Sequence, residues 1–190
     1  MRIILIAVIS LDGRITRPGE AGADFASAED QAWFHRSLRE FDCSVMGRKT
    51  YSSIREQVLA GASESSAGTP RLRLVMTRHP AAHARDARPG KLEFSHGDVA
   101  AIAQSLQARG CRRCALLGGG EIYRQFLNAS LVDALWLTLE PLLFGGGTPL
   151  VDGAIREAAF ELVETRRLSK STLLLNYTRK GAPGVRLPSP

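Results

Sequence analysis

Short apolar runs that alternate with helix-like segments constrain this chain more than any other feature. Residues 2–9 contain IILIAVI, too short to cross a membrane and followed by Ser10, Asp12 and Gly13, so they read as a buried first strand. Ser27 can cap a helix, with Asp30 three residues on as in a capping box, and Phe34, Leu38 and Phe41 then share one face. CSVM at 43–46 is a second strand, 49–59 has helical character and RLRLVMT at 71–77 alternates like a strand. Beyond a Pro/Ala/Arg-rich loop at 78–91 comes a short strand near 92–95, and Asp98 then caps VAAIAQSLQAR with Gly110 just past its end. A strand at 114–117, a helix at 121–128 and a strand at 133–141 follow. Residues 160–168 and 171–180 form a closing antiparallel pair. This alternation implies an α/β fold, a mostly parallel central sheet covered on both faces, with antiparallel edge strands. The 190 residues suit one domain over 1–180, and GAPGVRLPSP at 181–190, without apolar periodicity, reads as a disordered tail.

Two strand ends carry glycine at the start of a helix. In an open α/β sheet ligands bind beyond the carboxyl ends of strands, where helix N-termini attract phosphates. Gly118, Gly119 and Gly120 stand at one such end, before a helix starting at Glu121. They do not complete the dinucleotide-binding GxGxxG, because Tyr123 takes the last glycine position. MGRKTY at 46–51 is the second junction, and it is no P-loop, since Asp42 stands where that motif needs glycine. Arg48 and Lys49 at a helix start are unfavourable unless an anion offsets them, so the two junctions suit a ligand with separated phosphates. A third glycine run, Gly145–Gly147, reads as a structural turn that lets the chain cross the sheet end.

Composition removes other classes. No stretch approaches the roughly 20 apolar residues of a membrane helix. The net charge of +6 and pI near 9.7 come from scattered basic residues with little aromatic interleaving, which argues against nucleic acid and for small anionic ligands. Three cysteines, an odd number, point to a reducing cytoplasm. Cys111 and Cys114 form a CxxC, yet Cys43 is remote in sequence and no further ligands have zinc spacing, so no metal is expected and Cys114 reads as core. His35 reads as a surface or packing residue, and Trp136 and Phe144 as core.

Taken in order, these segments resemble the dihydrofolate reductase superfamily, which includes the reductase domain of riboflavin-biosynthesis deaminase–reductases. The resemblance spans residues 2–180. DQAWFHR with VMGRKTYSSI, then LVMTRHP, then LLGGGEIYRQFL, are similar to the dihydrofolate reductase segments in that order. AVISLDGRIT and LVDALWLTLEPLLFGGGTPL are more similar to the riboflavin-pathway reductases and their stand-alone relatives. The resemblance implies a dihydrofolate reductase-like three-layer sandwich, NADPH as cofactor, a small-molecule substrate and a homodimer paired through a sheet edge.

Residue by residue, it implies that Val8 and Ile15 border the nicotinamide, and that Gly47, Arg48, Lys49 and Thr50 face the cofactor phosphates. Thr77 and Arg78 come near the 2′-phosphate, where a guanidinium fork suits a phosphate monoester. Gly118, Gly119, Gly120, Glu121, Ile122 and Tyr123 hold the pyrophosphate and ribose. Asp30 matches the family's acid, Thr138 the hydroxyl that supports it, and Phe34 a ring-packing residue; Ser10, Asp12 and Arg14 join Phe34 as substrate contacts. Three departures matter. The riboflavin pattern expects an acid just ahead of the paired glycines, where Leu117 and Gly118 stand, and a DDPxL-type segment where the chain has MGRKTY. The dihydrofolate reductase loop with its tryptophan is replaced by RPGEAGADFAS. The implied activity is therefore hydride transfer to a C=N or ribosyl carbon of a pyrimidine, with dihydrofolate reduction or idle ligand binding on the same fold as alternatives. No zinc-deaminase signature is present, which leaves any deamination to another protein.

Overall fold

A computed structural model describes residues 1–63 and 72–188. Eight strands form one sheet: β1 (Arg2–Ile9), β2 (Cys43–Gly47), β3 (Leu72–Met76), β4 (Leu92–Ser95), β5 (Arg113–Leu116), β6 (Ala134–Leu139), β7 (Phe160–Arg167) and β8 (Leu173–Arg179). Their order is β4-β3-β2-β5-β1-β6-β8-β7. The first six run parallel, while β8 is antiparallel to β6 and β7 to β8. The helices are α1 (Ala28–Ser37), α2 (Arg48–Ser53), α3 (Arg55–Ser63), α4 (Val99–Ala108) and α5 (Gly120–Asn128). The expected α/β architecture is the observed one. The helix expected at 49–59 is broken at Ile54, and Arg71 of the expected third strand lies outside the described residues.

Alternation along β1 decides which helix covers which face. Ile3 and Leu5 join the core under α4 and α5, whereas Ile4 and Ile6 join the core under α1. That second core holds Trp33 of α1, Leu38 and Phe41 past its end, and Trp136 of β6, while Phe34 of the expected face is partly buried against it. Burying each such side chain stabilises the fold by about 1.5–3 kcal/mol. Both helix starts read from the sequence are made by side chains: Ser27 Oγ accepts from Asp30 N (3.3 Å) and Asp98 Oδ2 from Ala101 N (3.2 Å).

Two expectations are corrected. Residues 181–188 are not a disordered tail but cross the α1 side of the sheet. Val185 and Leu187 are buried in its core, Asn176 Nδ2 donates to Val185 O (2.7 Å), and Val185 N donates to Thr178 Oγ1 (3.2 Å). Their apolar spacing of two around Arg186 is strand-like, too short a pattern to register as periodicity. Cys43 is not remote from the CxxC pair, because it is the cross-strand partner of Cys114 in the β2–β5 register, and both are fully buried. Among the described residues no group of three His, Cys, Asp or Glu could hold a metal ion. Among the described residues no helix is long and apolar enough to cross a membrane.

Candidate active site

The carboxyl ends of β1 to β5 open into a cleft of about 850 Å³. One wall is cationic. Arg48 and Lys49, exposed at the start of α2, line it, as do Thr77 and Arg78 just beyond β3. Among the described residues no carboxylate is within ion-pair distance of these three cations, so their charge is available to an anion. Val8, Ile15, Gly47 and Thr50 line the middle, and Gly119 sits between Thr50 and Ile15: a Cβ there would lie 3.6 Å from Thr50 Oγ1 and 3.9 Å from Ile15 Cδ1. Glycine at 119 therefore keeps the cleft open beside the first turn of α5, whose free N–H groups begin there.

The neighbouring glycines have other reasons. Gly118 has φ +96°, its carbonyl accepts from Gly47 N (2.6 Å), and an added Cβ would meet the Tyr123 ring at 2.9 Å. It does not line the cleft, and its carbonyl ties the ends of β2 and β5 together. Gly120 backs onto the carbonyl of Pro149, 2.7 Å from where a Cβ would be, and Asp152. The Tyr123 hydroxyl donates to Ile6 O (2.7 Å), and burial pushes its pKa up, so it stays a neutral internal donor. Ile122 is buried against Gly47, and Glu121 is exposed on the first turn.

At the α1 wall the cleft meets Asp30, Trp33 and Phe34. Asp30 is 5 % exposed. Burial pushes its carboxyl up to about 6; nearby Thr138 pulls it down, and the charge of Glu140 pushes it further up. Thr138 is itself fully buried, with no hydrogen-bond partner within bonding distance of Oγ1, so it bears on Asp30 across a longer gap. Glu140 was missed by sequence reading. It follows Thr138 by two residues, one position past the end of β6, which keeps both on the face toward α1, and that spacing is the signal that could have found it.

Ser10, Asp12 and Arg14, the expected substrate contacts, are not among the residues that line the cleft. Asp12 accepts from Ser10 Oγ (2.6 Å), Phe144 N (3.2 Å) and Gly145 N (2.9 Å), and these bonds hold its carboxyl down at about 2. Ser10 is fully buried and also accepts from Arg14 N (2.9 Å), while Arg14 Nε lies 3.8 Å from Asp12. The cluster pins the Gly145–Gly147 loop to the end of β1, as a structural turn.

The RibD C-terminal domain model matches residues 2–174. Among curated relatives, the uncharacterized protein YyaP of Bacillus subtilis is 24% identical over 183 residues, covering 95% of this chain and 96% of that one. A Methanothermobacter thermautotrophicus protein named 2,5-diamino-6-ribosylamino-4(3H)-pyrimidinone 5′-phosphate reductase is 26% identical over 215 residues, covering 94% and 98%. Among solved structures, a putative riboflavin biosynthesis protein from Shewanella sp. PV-4 superposes with a TM-score of 0.69 at 23% identity, covering 95% and 99%, a likeness of fold.

Proposed function

The chain belongs to the RibD C-terminal domain family, and on that premise we propose that it is an NADPH-dependent reductase of the riboflavin-biosynthesis type. Its substrate on this reading is 5-amino-6-(5-phosphoribosylamino)uracil. The observation that carries the proposal is one cleft joining a buried carboxyl that keeps its proton up to about pH 6 with strand ends presenting Arg48, Lys49 and Arg78. Arg78 and Arg48 take the 2′-phosphate, Gly119 and the first turn of α5 take the pyrophosphate, and Val8 and Ile15 flank the nicotinamide. Bound NADPH supplies the hydride. Asp30, protonated, donates to the acceptor nitrogen, which makes the adjoining carbon electrophilic, and Trp33 and Phe34 exclude water around it.

A pterin such as dihydrofolate is the second reading, and one observation favours it. Around Asp30 the lining side chains of Ala26, Gln31, Trp33 and Phe34 offer no cation for a substrate phosphate. NADPH consumption with each substrate in turn separates the two. No turnover of either supports an idle ligand-binding protein and overturns both. The same reading includes a homodimer formed along β7, an edge strand with Leu162 55% and Val163 49% exposed. Light scattering at the monomer mass of 20.6 kDa would refute that pairing.

A further inference from the structure

Behind Asp30 lies a second buried carboxyl that the proposed reaction does not use. Glu140 is 3 % exposed, and both its oxygens accept: Oε1 from Ser27 N (2.9 Å) and Oε2 from Thr172 Oγ1 (2.9 Å). Ser27 Oγ in turn lies 3.4 Å from Thr172 Oγ1 and accepts from Asp30 N (3.3 Å). The carboxylate thus holds the residue that starts α1, three positions before Asp30.

A structural anchor would need only the acceptors, and glutamine has the same length and an oxygen for Ser27 N. Burying the charged form instead is costly unless it is paired. Among the described residues no lysine or arginine is within ion-pair distance of Glu140, and its charge is met only by neutral donors, Ser27 N at the start of α1 and the Thr172 hydroxyl. The groups around Asp30 leave that charge unopposed. Thr138 comes from β6, Glu140 from the position just past its end, and Thr172 from the segment before β8. Glu29 and His35 on α1 itself are exposed, as are Arg48 and Lys49 elsewhere on the cleft.

We propose that Glu140 is a positioning residue: through Ser27 it fixes the start of α1, and its unpaired negative charge keeps Asp30 in the protonated, proton-donating form. This rests on Asp30 as the proton donor, and the test separates the two. Aspartate-selective ¹³C labelling, with the Cγ signal of Asp30 assigned by its loss in Asp30→Asn, gives the Asp30 titration independently of turnover. In Glu140→Gln its midpoint is expected to fall by about one pH unit, and the inflection of the rate profile to fall with it. An unmoved midpoint in a folded Glu140→Gln overturns the inference, even if Asp30→Asn is inactive. A lowered midpoint alongside full turnover in Asp30→Asn upholds it and overturns the proton-donor reading instead. Should Glu140→Gln not fold, glutamate-labelled wild-type protein carries the test. The Cδ of Glu140 is expected to inflect at the Asp30 midpoint, and a curve without that inflection overturns the inference.

Discussion

Asp12 and Asp30 are both aspartates near the carboxyl end of the sheet, and the fold treats them in opposite ways. Asp12 is surrounded by donors and its carboxyl is held down at about 2; Asp30 is buried with few donors and is pushed up to about 6. A carboxylate satisfied by two backbone N–H groups and a hydroxyl is architecture. One deprived of them, and facing a cleft, can carry a proton. Residue type did not distinguish them, whereas burial at Asp30 and donors at Asp12 did.

The largest way to break the contrast is at Asp30. Asp30→Asn leaves the Ser27 cap in place, since Ser27 Oγ accepts from the backbone N of residue 30, and removes the acid. Turnover is expected to fall about 10²–10⁴-fold with NADPH affinity unmoved by calorimetry. Stability then separates the pair by sign. Asp30 binds its proton more tightly folded than unfolded, so its contribution is full below the ordinary value of 3.8 and is lost as pH rises through about 6. Asp30→Asn should therefore raise stability at pH 7.5, by on the order of 2–3 kcal/mol. Asp12 contributes above 3.8 and loses that contribution as pH falls toward 2. Asp12→Asn should thus lower Tm at pH 7.5 and leave the turnover rate alone, and an equal loss of rate would make Asp12 a site residue after all.

Smaller effects probe the cationic wall. Arg78→Ala is expected to weaken NADPH about ten- to a hundredfold and NADH hardly at all, since a charge-assisted contact is worth about 1.5–3 kcal/mol. Equal dissociation constants for the two cofactors in the parent protein would sink the 2′-phosphate assignment. Gly119→Ala is smallest. Its φ of −79° suits alanine and its surroundings admit a methyl, so Tm should hold while NADPH weakens several-fold. Gly147→Ala, at φ +88° against the Thr16 carbonyl, should instead unfold the loop that Asp12 pins.

What the sequence made legible follows from how local its signals are. Ser27 and Asp98 announce helix starts because a cap is a contact over three residues, and the strand–helix alternation carries the sheet. Asp30, Thr77 and Arg78 could be proposed from the resemblance to dihydrofolate reductases, which rests on contiguous segments. Contacts between distant segments could not. Asp12 bonding Gly145, Val185 docking on β8, and Pro149 closing over Gly120 each join residues whose spacing says nothing of the meeting. Glu140 lies between these cases, since its alignment with Thr138 was readable but its reach to Ser27 was not.

The central claim is that Asp30, holding its proton up to about pH 6, is the proton donor of this cleft, and the pH dependence of turnover tests it most directly. For the wild-type protein the rate should decline as pH rises through about 6, with one titrating group, and Asp30→Asn should give a low rate that no longer follows that titration. A wild-type profile flat from pH 5 to 8, or the same inflection at undiminished rate in Asp30→Asn, would contradict the account.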